Sequence, residues 1–170
     1  MKKTEVLAPA GSYDALVAAV RCGADAVYLG SGDFNARRNA ANFDEAGLKK
    51  AIKYSHERNV KVYLTLNTLI KDSEIFTLSK EIENFILCGT DAFIIQDLGV
   101  ARMVKYICPE MPVHASTQMS VQSEYGMEML KESGFKRVVL PRELSREEIL
   151  NISGSTDLEL ECFVHGALCM

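Results

Sequence analysis

Strand-like and helix-like segments alternate along the whole chain, and this alternation constrains the fold more than any other feature. Short runs rich in branched residues recur, and the segments between them carry apolar residues three and four positions apart, as an amphipathic helix does. Such alternation is typical of parallel strands joined by right-handed helical crossovers. The seven candidate strands are EVLAPAG (5–11), DAVYLG (25–30), KVYLTLNT (61–68), DAFIIQD (91–97), PVHAST (112–117), RVVLPRE (137–143) and LELECFVHG (158–166).

A weak internal repeat supports this interpretation. The segments RCGADAVYLG (21–30) and LCGTDAFIIQD (87–97) share the order helix end, Cys-Gly, small residue, Asp and strand, and KESGFKRVVLP (131–141) is a looser third copy. The repeated glycine is predicted to end each helix, since a glycine tolerates the left-handed conformation that such an end requires. Helix starts are predicted at Asp44, at Ser73 and at Ser145, where Glu148 completes a capping box.

The polar residues at the strand ends favour a barrel over an open sheet. No G-x-G-x-x-G loop follows the first strand, whereas polar side chains cluster at almost every carboxyl end, where barrel sites lie. We therefore predict an α/β fold, an incomplete TIM-type (β/α)8 barrel with seven parallel strands and about six helices. Residues 1–170 are expected to be a single, truncated N-terminal barrel domain, with the rest of the barrel and a C-terminal region absent. The open edge predicts a rearranged end or self-association.

Composition excludes several classes of protein. The chain has 48% hydrophobic and 25% charged residues, which is typical of a globular domain rather than a disordered one. Its net charge of −4 means that any nucleic-acid contact must come from a local patch. No apolar stretch is long enough to span a membrane, and we expect no signal peptide and no membrane partner. Five scattered cysteines favour a reduced, cytoplasmic protein.

Candidate site residues follow the strand ends. We expect them to line the barrel mouth, by which we mean the shared carboxyl end of the strands. The loop at 31–43 carries Arg37 and Arg38, so it is interpreted as a lid or anion clamp, or as a solvated loop. The other candidates are Asn67, Gln96, His114, Ser116, Gln118, Arg142, Glu161 and His165.

The last predicted strand has two faces because side chains alternate along it. Cys162 falls on the face opposite His165, together with Leu160, and is expected in the core as a small hydrophobe. This argues against a complete Cys-His metal site. Glu161 shares the face of His165 and needs a cation to offset its desolvation, for which Arg142 is the candidate.

Two further patterns leave alternatives open. His114 and Ser116 lie roughly 7 Å apart along one strand face, which disfavours a direct Ser-His nucleophile pair. The densest basic stretch, LKKAIKYSHERNVK (48–61), is interpreted as a solvated helix face, with nucleic-acid contact as the alternative. His56 within it is expected in solvent.

Seven motifs in order carry a family resemblance that runs from Leu7 to the last residue. The chain resembles the peptidase U32, or collagenase-like, family. The resemblance implies two activities: the proteolysis for which the family was named, and iron-sulfur-dependent hydroxylation of a tRNA wobble uridine or an rRNA cytidine, with prephenate implicated as oxygen source. Other relatives serve anaerobic ubiquinone hydroxylation. The motifs are LAPAGS (7–12), VYLG (27–30), LNTL (66–69), QDLG (96–99), HASTQM (114–119), PRELS (141–145) and FVHGALCM (163–170).

The resemblance also implies a cofactor. Cys169 corresponds to the first of four ligands of a [4Fe-4S] cluster in the full-length protein, and four thiolates must converge to hold one. The chain by itself is expected to hold none. We therefore expect a full-length RNA hydroxylase whose partners are RNA and a small organic acid such as prephenate. The alternatives are a collagenase-like peptidase and a non-catalytic binding module. Expected catalytic residues are Glu161, His165, His114 and Arg142, and expected substrate-binding residues are Asn67, Gln96, Ser116, Gln118 and Arg37.

Overall fold

Strands and helices alternate in the structure as the sequence predicts. The computed structural model describes residues 4–32, 34–35 and 43–166. Its strands are β1 (Leu7–Pro9), β2 (Ala26–Leu29), β3 (Lys61–Leu66), β4 (Ala92–Ile95), β5 (Val113–Ala115), β6 (Arg137–Val139) and β7 (Glu159–Glu161), and its α-helices are α1 (Tyr13–Arg21), α2 (Glu45–His56), α3 (Ile75–Leu87), α4 (Leu98–Ile107), α5 (Glu124–Glu132) and α6 (Arg146–Ser155). Short 3-10 helices cover Asp72–Glu74 and Thr117–Met119.

The strand topology confirms the predicted fold class. Seven strands follow one another in a single sheet in the order β1 to β7, and the pairings of β1 with β2, β2 with β3, β5 with β6 and β6 with β7 are parallel. This is the α/β architecture of an incomplete TIM-type barrel. Two compact units divide the chain, Met1–Phe93 and Ile94–Met170. Among the described helices, none is long and apolar enough to cross a membrane.

Helix α2 shows how the first unit buries its core. Its apolar positions at spacings of three and four, Leu48, Ala51 and Ile52, are all buried, as the periodicity predicts. Asp44 caps the helix start as predicted, since its Oδ1 accepts a hydrogen bond from the Gly47 amide at 2.7 Å. The predicted cap at Ser73 is wrong: Ser73 lies inside a 3-10 helix, and α3 begins after Glu74 without a side-chain cap.

The repeated glycines end their helices as predicted. Gly23, Gly89 and Gly134 have φ of +91°, +98° and +84°, a region that residues with a Cβ rarely adopt. Each directly follows the C-cap residue of α1, α3 or α5. The repeat therefore encodes a turn from a helix into the next strand.

The aspartates of the repeat have a structural role that the sequence did not reveal. The Asp25 carboxylate accepts a hydrogen bond from the Val6 amide at 3.0 Å, and the Asp91 carboxylate accepts one from the Val62 amide at 2.7 Å. Each aspartate thus joins the start of its own strand to the preceding strand. Asp91 Oδ2 also lies 2.8 Å from His56 Nε2, so His56, although exposed, contacts a carboxylate at hydrogen-bond distance and is not simply solvated.

In the second unit, Ser145 and Glu148 fix the start of α6. The Ser145 hydroxyl accepts a hydrogen bond from the Glu148 amide at 3.3 Å, and the Glu148 carboxylate accepts one from the Ser145 amide at 2.7 Å. This confirms the predicted capping box. Hydrogen bonds to the Glu148 carboxylate from the Ser145 side chain and from the Ser145 backbone amide lower the pKa of Glu148, because they favour its ionised form.

Candidate functional site

A pocket of about 400 Å³ lies where β6 and β7 end. This is the end at which the sites of parallel α/β folds are built. The pocket brings together two predicted site residues, Arg142 from the turn after β6 and His165 from the segment after β7. Its lining consists of Leu140, Pro141, Arg142, Leu144, Ile149, Cys162, Phe163, Val164, His165 and Gly166.

Arg142 anchors the segment that follows β7. Its Nη1 donates a hydrogen bond to the Gly166 carbonyl at 2.9 Å, and its guanidinium carbon lies 4.2 Å from the centre of the Phe163 ring. Gly166 has φ of +144°, and a Cβ at this position would lie 3.0 Å from Arg142 Nη2. The positive φ therefore favours glycine at 166, and a Cβ there would push against the Arg142 guanidinium. Arg142 Nε is buried and has no hydrogen-bond partner among the described residues.

The predicted pairing of Glu161 with Arg142 is wrong, because the cation near Glu161 is Arg137. Arg137, at 9% exposure, is the first residue of β6 and lies opposite Glu159 in the sheet register. Its Nη2 is 2.7 Å from Glu159 Oε2, and its Nη1 is 3.5 Å from Glu161 Oε2. Glu161 is thus held in an ion-pair network between β6 and β7. An arginine opening an otherwise apolar strand was the signal that could have identified this network.

Cys162 is exposed, so its prediction as a core residue is wrong. Its thiol is nevertheless partly shielded, and this desolvation, together with the neighbouring Glu161 carboxylate, raises the pKa of Cys162. A thiol with a raised pKa carries little thiolate at neutral pH and is a poor nucleophile. His165 is also exposed, and it lines the pocket as a predicted mouth residue would.

The β5 end carries the predicted pair His114 and Ser116. Both side chains are buried, at 4% exposure each, and His114 lies opposite Arg137 in the register of β5 and β6. The Ser116 hydroxyl accepts a hydrogen bond from the Gln118 amide at 3.3 Å and caps the short helix Thr117–Met119. Ser116 therefore has a structural use, whereas Gln118 is exposed.

Two other predicted residues follow their strands directly. Asn67 comes after β3 in the first unit, and Gln96 comes after β4 in the second; both are half-buried. Asp97, next to Gln96, caps α4 by accepting hydrogen bonds from the amides of Gly99 and Val100. The predicted positions of Asn67 and Gln96 at strand ends are confirmed, and their role in binding substrate stays a prediction.

The described parts of the loop at 31–43 are fixed by buried polar contacts. The Ser31 hydroxyl donates a hydrogen bond to the Phe43 carbonyl at 2.7 Å, which joins the two ends of the loop. Asn35 is 1% exposed, and its Nδ2 donates to the Gly32 carbonyl at 3.0 Å. Arg37 and Arg38, on which the anion-clamp interpretation rests, lie outside the described residues.

A pocket of about 380 Å³ beside this loop was not predicted; it is lined by Ser31, Gly32, Phe43, Asp44, Glu45, Glu81, Asn84, Phe85 and Cys88.

The described residues do not by themselves fit a [4Fe-4S] cluster. Cys22, Cys88 and Cys108 are the C-cap residues of α1, α3 and α4, so each precedes the start of a strand rather than following its carboxyl end. Among the described residues, no three His, Cys, Asp or Glu side chains are grouped to hold a metal ion. Cys169, the predicted first ligand, lies outside them.

The family follows from comparison with known proteins. The model of peptidase family U32 matches residues 11–170. The chain belongs to peptidase family U32. Of solved structures, one of a U32 peptidase superposes with a TM-score of 0.79 at 13% identity, covering 94% of this chain and 68% of that one. At that identity the likeness shows the shared fold alone.

Relatives within the U32 family carry two kinds of name. The chain is 36% identical to the 23S rRNA 5-hydroxycytidine C2501 synthase of Escherichia coli, over 99% of this chain and 25% of the relative. It is 38% identical to the tRNA hydroxylation protein P of Helicobacter pylori, over 99% and 40%. A collagenase of Porphyromonas gingivalis is 34% identical, over 98% and 42%. The chain therefore spans less than half the length of these relatives.

Proposed function

We propose that the protein to which this chain belongs is an iron-sulfur-dependent RNA hydroxylase acting on a tRNA uridine or an rRNA cytidine. The observation that carries the proposal is the match, along 99% of the chain, to a relative named for rRNA hydroxycytidine synthesis and to one named for tRNA hydroxylation. Because the chain spans at most 40% of these two relatives, the activity of the whole protein is an inference from similarity.

The pocket at the ends of β6 and β7 is our candidate site for a small organic acid that serves as oxygen donor, with prephenate as the expected compound. Its volume of about 400 Å³ is in the range of small-molecule sites. Arg142 and His165 line it, and the Nε of Arg142 is a buried donor that lacks a partner among the described residues. A buried guanidinium donor is well suited to bind a carboxylate.

Arg142 has a second role in this proposal, which is to position the chain that leads to Cys169. The hydrogen bond to Gly166 and the contact with Phe163 hold residues 163–166 against the turn after β6. Cys169, three residues further on, is proposed as the first ligand of the [4Fe-4S] cluster of the full-length protein. We place this activity in the cytoplasm, where the RNA substrates are made and thiols stay reduced.

A collagenase-like peptidase is the second candidate, favoured by the name of the Porphyromonas relative. The candidate nucleophiles of the described site give it little support. The Ser116 hydroxyl caps a 3-10 helix, and the raised pKa of Cys162 keeps its thiol protonated. Neither of these two groups is therefore well suited to act as a peptidase nucleophile.

Complementation with two cysteine variants tests the proposal. In a strain lacking the gene, full-length protein carrying Cys169→Ser should fail to restore hydroxylated nucleosides in tRNA or rRNA, whereas Cys22→Ser, at the exposed end of α1, should restore them. If both variants restored the hydroxylated nucleosides equally, Cys169 would not be a ligand of the proposed cluster. Cleavage of collagen by the purified full-length protein, with no change in any RNA nucleoside, would favour the peptidase instead.

A further inference from the structure

The outer surface of α1 and α2 combines cations with aromatic rings. We call the residues Tyr13, Lys50, Lys53, Tyr54 and Arg58 the α1–α2 ridge. Lys50, Tyr54 and Arg58 recur at intervals of four along α2 and the turn after it, so they lie in one row on the helix surface. All five residues belong to the first compact unit.

Contacts with the tyrosines hold two of these cations in place. Lys50 Nζ lies 4.2 Å from the centre of the Tyr13 ring, and the Arg58 guanidinium carbon lies 3.8 Å from that of Tyr54. The two rings meet edge to face, with centroids 6.0 Å apart. Arg58 Nη1 also donates a hydrogen bond to the Tyr54 carbonyl at 3.0 Å. Solvated lysines and arginines lose side-chain entropy when they bind a ligand, and cations already held in place lose less.

The local charge of this surface differs in sign from that of the chain. Residues 13–21 and 44–58 together contain five lysines and arginines and four aspartates and glutamates, while the whole chain has a net charge of −4. Glu45 Oε1 forms an ion pair with Lys49 Nζ at 2.6 Å, and Glu57 Oε2 lies 3.6 Å from Arg58 Nη1. Lys50 and Lys53 are exposed. The ridge is thus a local positive surface on an acidic protein.

We propose that the α1–α2 ridge binds the phosphate backbone of the RNA substrate. Exposed lysines and arginines among aromatic rings match a polyanion whose bases also offer flat surfaces for stacking. The inference rests on the proposed RNA function, and it gives that function the contact surface that the overall charge does not provide. It selects the nucleic-acid alternative for the basic stretch at 48–61 over a purely solvated helix face.

The test compares two triple variants of the chain that remove the same charge. Lys50→Ala, Lys53→Ala and Arg58→Ala together remove the cations of the ridge. The control variant, Lys80→Ala, Arg102→Ala and Lys136→Ala, removes three exposed cations from other surfaces. Binding to fluorescently labelled total tRNA is measured by anisotropy over a series of salt concentrations, and circular dichroism checks that both variants fold.

The ridge variant should bind tRNA at least about ten times more weakly than the unmodified chain. The slope of log affinity against log salt concentration should become shallower by about 2–3, since each of the three lost phosphate contacts removes roughly 0.7–0.9. The control should stay within about twofold. Three results would overturn the inference: no binding of tRNA by the unmodified chain, an equal loss in both variants, or binding to phosphatidylglycerol vesicles in place of tRNA. Nucleoside analysis of a gene deletion separates this test from that of the proposed function. If the deletion leaves RNA nucleosides unchanged but tRNA binding depends on the ridge, only the proposed hydroxylase function is refuted. If the deletion alters the nucleosides but tRNA binding does not depend on the ridge, only the role of the ridge is refuted.

Discussion

Replacing Arg142 by alanine should release the segment 163–166 without unfolding the protein. The change removes a hydrogen bond from a charged donor to the Gly166 carbonyl and a cation-π contact with Phe163. Such a hydrogen bond contributes about 1.5–3 kcal/mol, and such a contact at a partly exposed site about 0.5–1 kcal/mol. The two share one side chain and are not additive. We therefore expect the free energy of local opening to fall by about 2 kcal/mol, which is roughly a thirtyfold rise in the opened population.

Chymotrypsin cleavage after Phe163 measures this opening. When opening is fast relative to cleavage, the rate follows the opened population, so Arg142→Ala should be cut roughly thirty times faster, as followed by mass spectrometry of the released peptide. Gly166→Ala should accelerate the same cleavage, because its Cβ would press on Arg142 Nη2 at a φ of +144°. Arg146→Ala, an exposed arginine nearby, is the matched control. Cleavage of Arg142→Ala within about twofold of the unmodified chain would refute the anchoring role.

Three more predictions concern the second unit. Arg137→Ala should lower the free energy of unfolding, measured in urea, by about 3 kcal/mol, which is the low end of the range for a broken buried ion pair because Glu159 is half-exposed. A loss under about 1 kcal/mol would contradict this and would mean that the pair contributes only as much as one on the surface. Glu148 has a lowered pKa, so its stabilising effect should be present above the ordinary glutamate pKa and lost as the pH falls through the lowered value; urea unfolding of the unmodified chain and of Glu148→Gln should therefore converge in acid, and a constant difference would contradict this. Cys162 has a raised pKa, so iodoacetamide should modify it at neutral pH more slowly than a free cysteine peptide, with the rate still rising at alkaline pH; equal rates at neutral pH, measured by mass spectrometry, would contradict the shift.

Most of the fold could be predicted from the hydrophobic periodicity and from the residues that start and end helices. The apolar face of α2, the Asp44 cap, the capping box of Ser145 and Glu148 and the helix-ending glycines are local patterns, and local patterns survive in the structure because neighbouring residues decide them. The predicted helix cap at Ser73 is wrong for a local reason as well. The chain forms a 3-10 turn at Asp72–Glu74 before α3 begins, and a residue type that is common at helix starts does not exclude such a turn.

The site was predictable in position but not in its contacts. Arg142 and His165 do share a pocket, because the carboxyl ends of β6 and β7 lie together. The cation near Glu161 is Arg137 rather than Arg142, since strand register decides which residues face each other and the sequence does not state the register. Cys162 was misplaced because the strand predicted over 158–166 ends at Glu161 in the structure, so the alternation of strand side chains does not extend to Cys162.

Nucleosides digested from the tRNA and rRNA of a strain that lacks the gene test the central claim most directly. Mass spectrometry should show that one hydroxylated uridine or cytidine is lost, that its unhydroxylated counterpart appears in equal amount, and that the full-length gene restores it. Unchanged hydroxylated nucleosides in both tRNA and rRNA would contradict the assignment of this U32 protein to RNA hydroxylation.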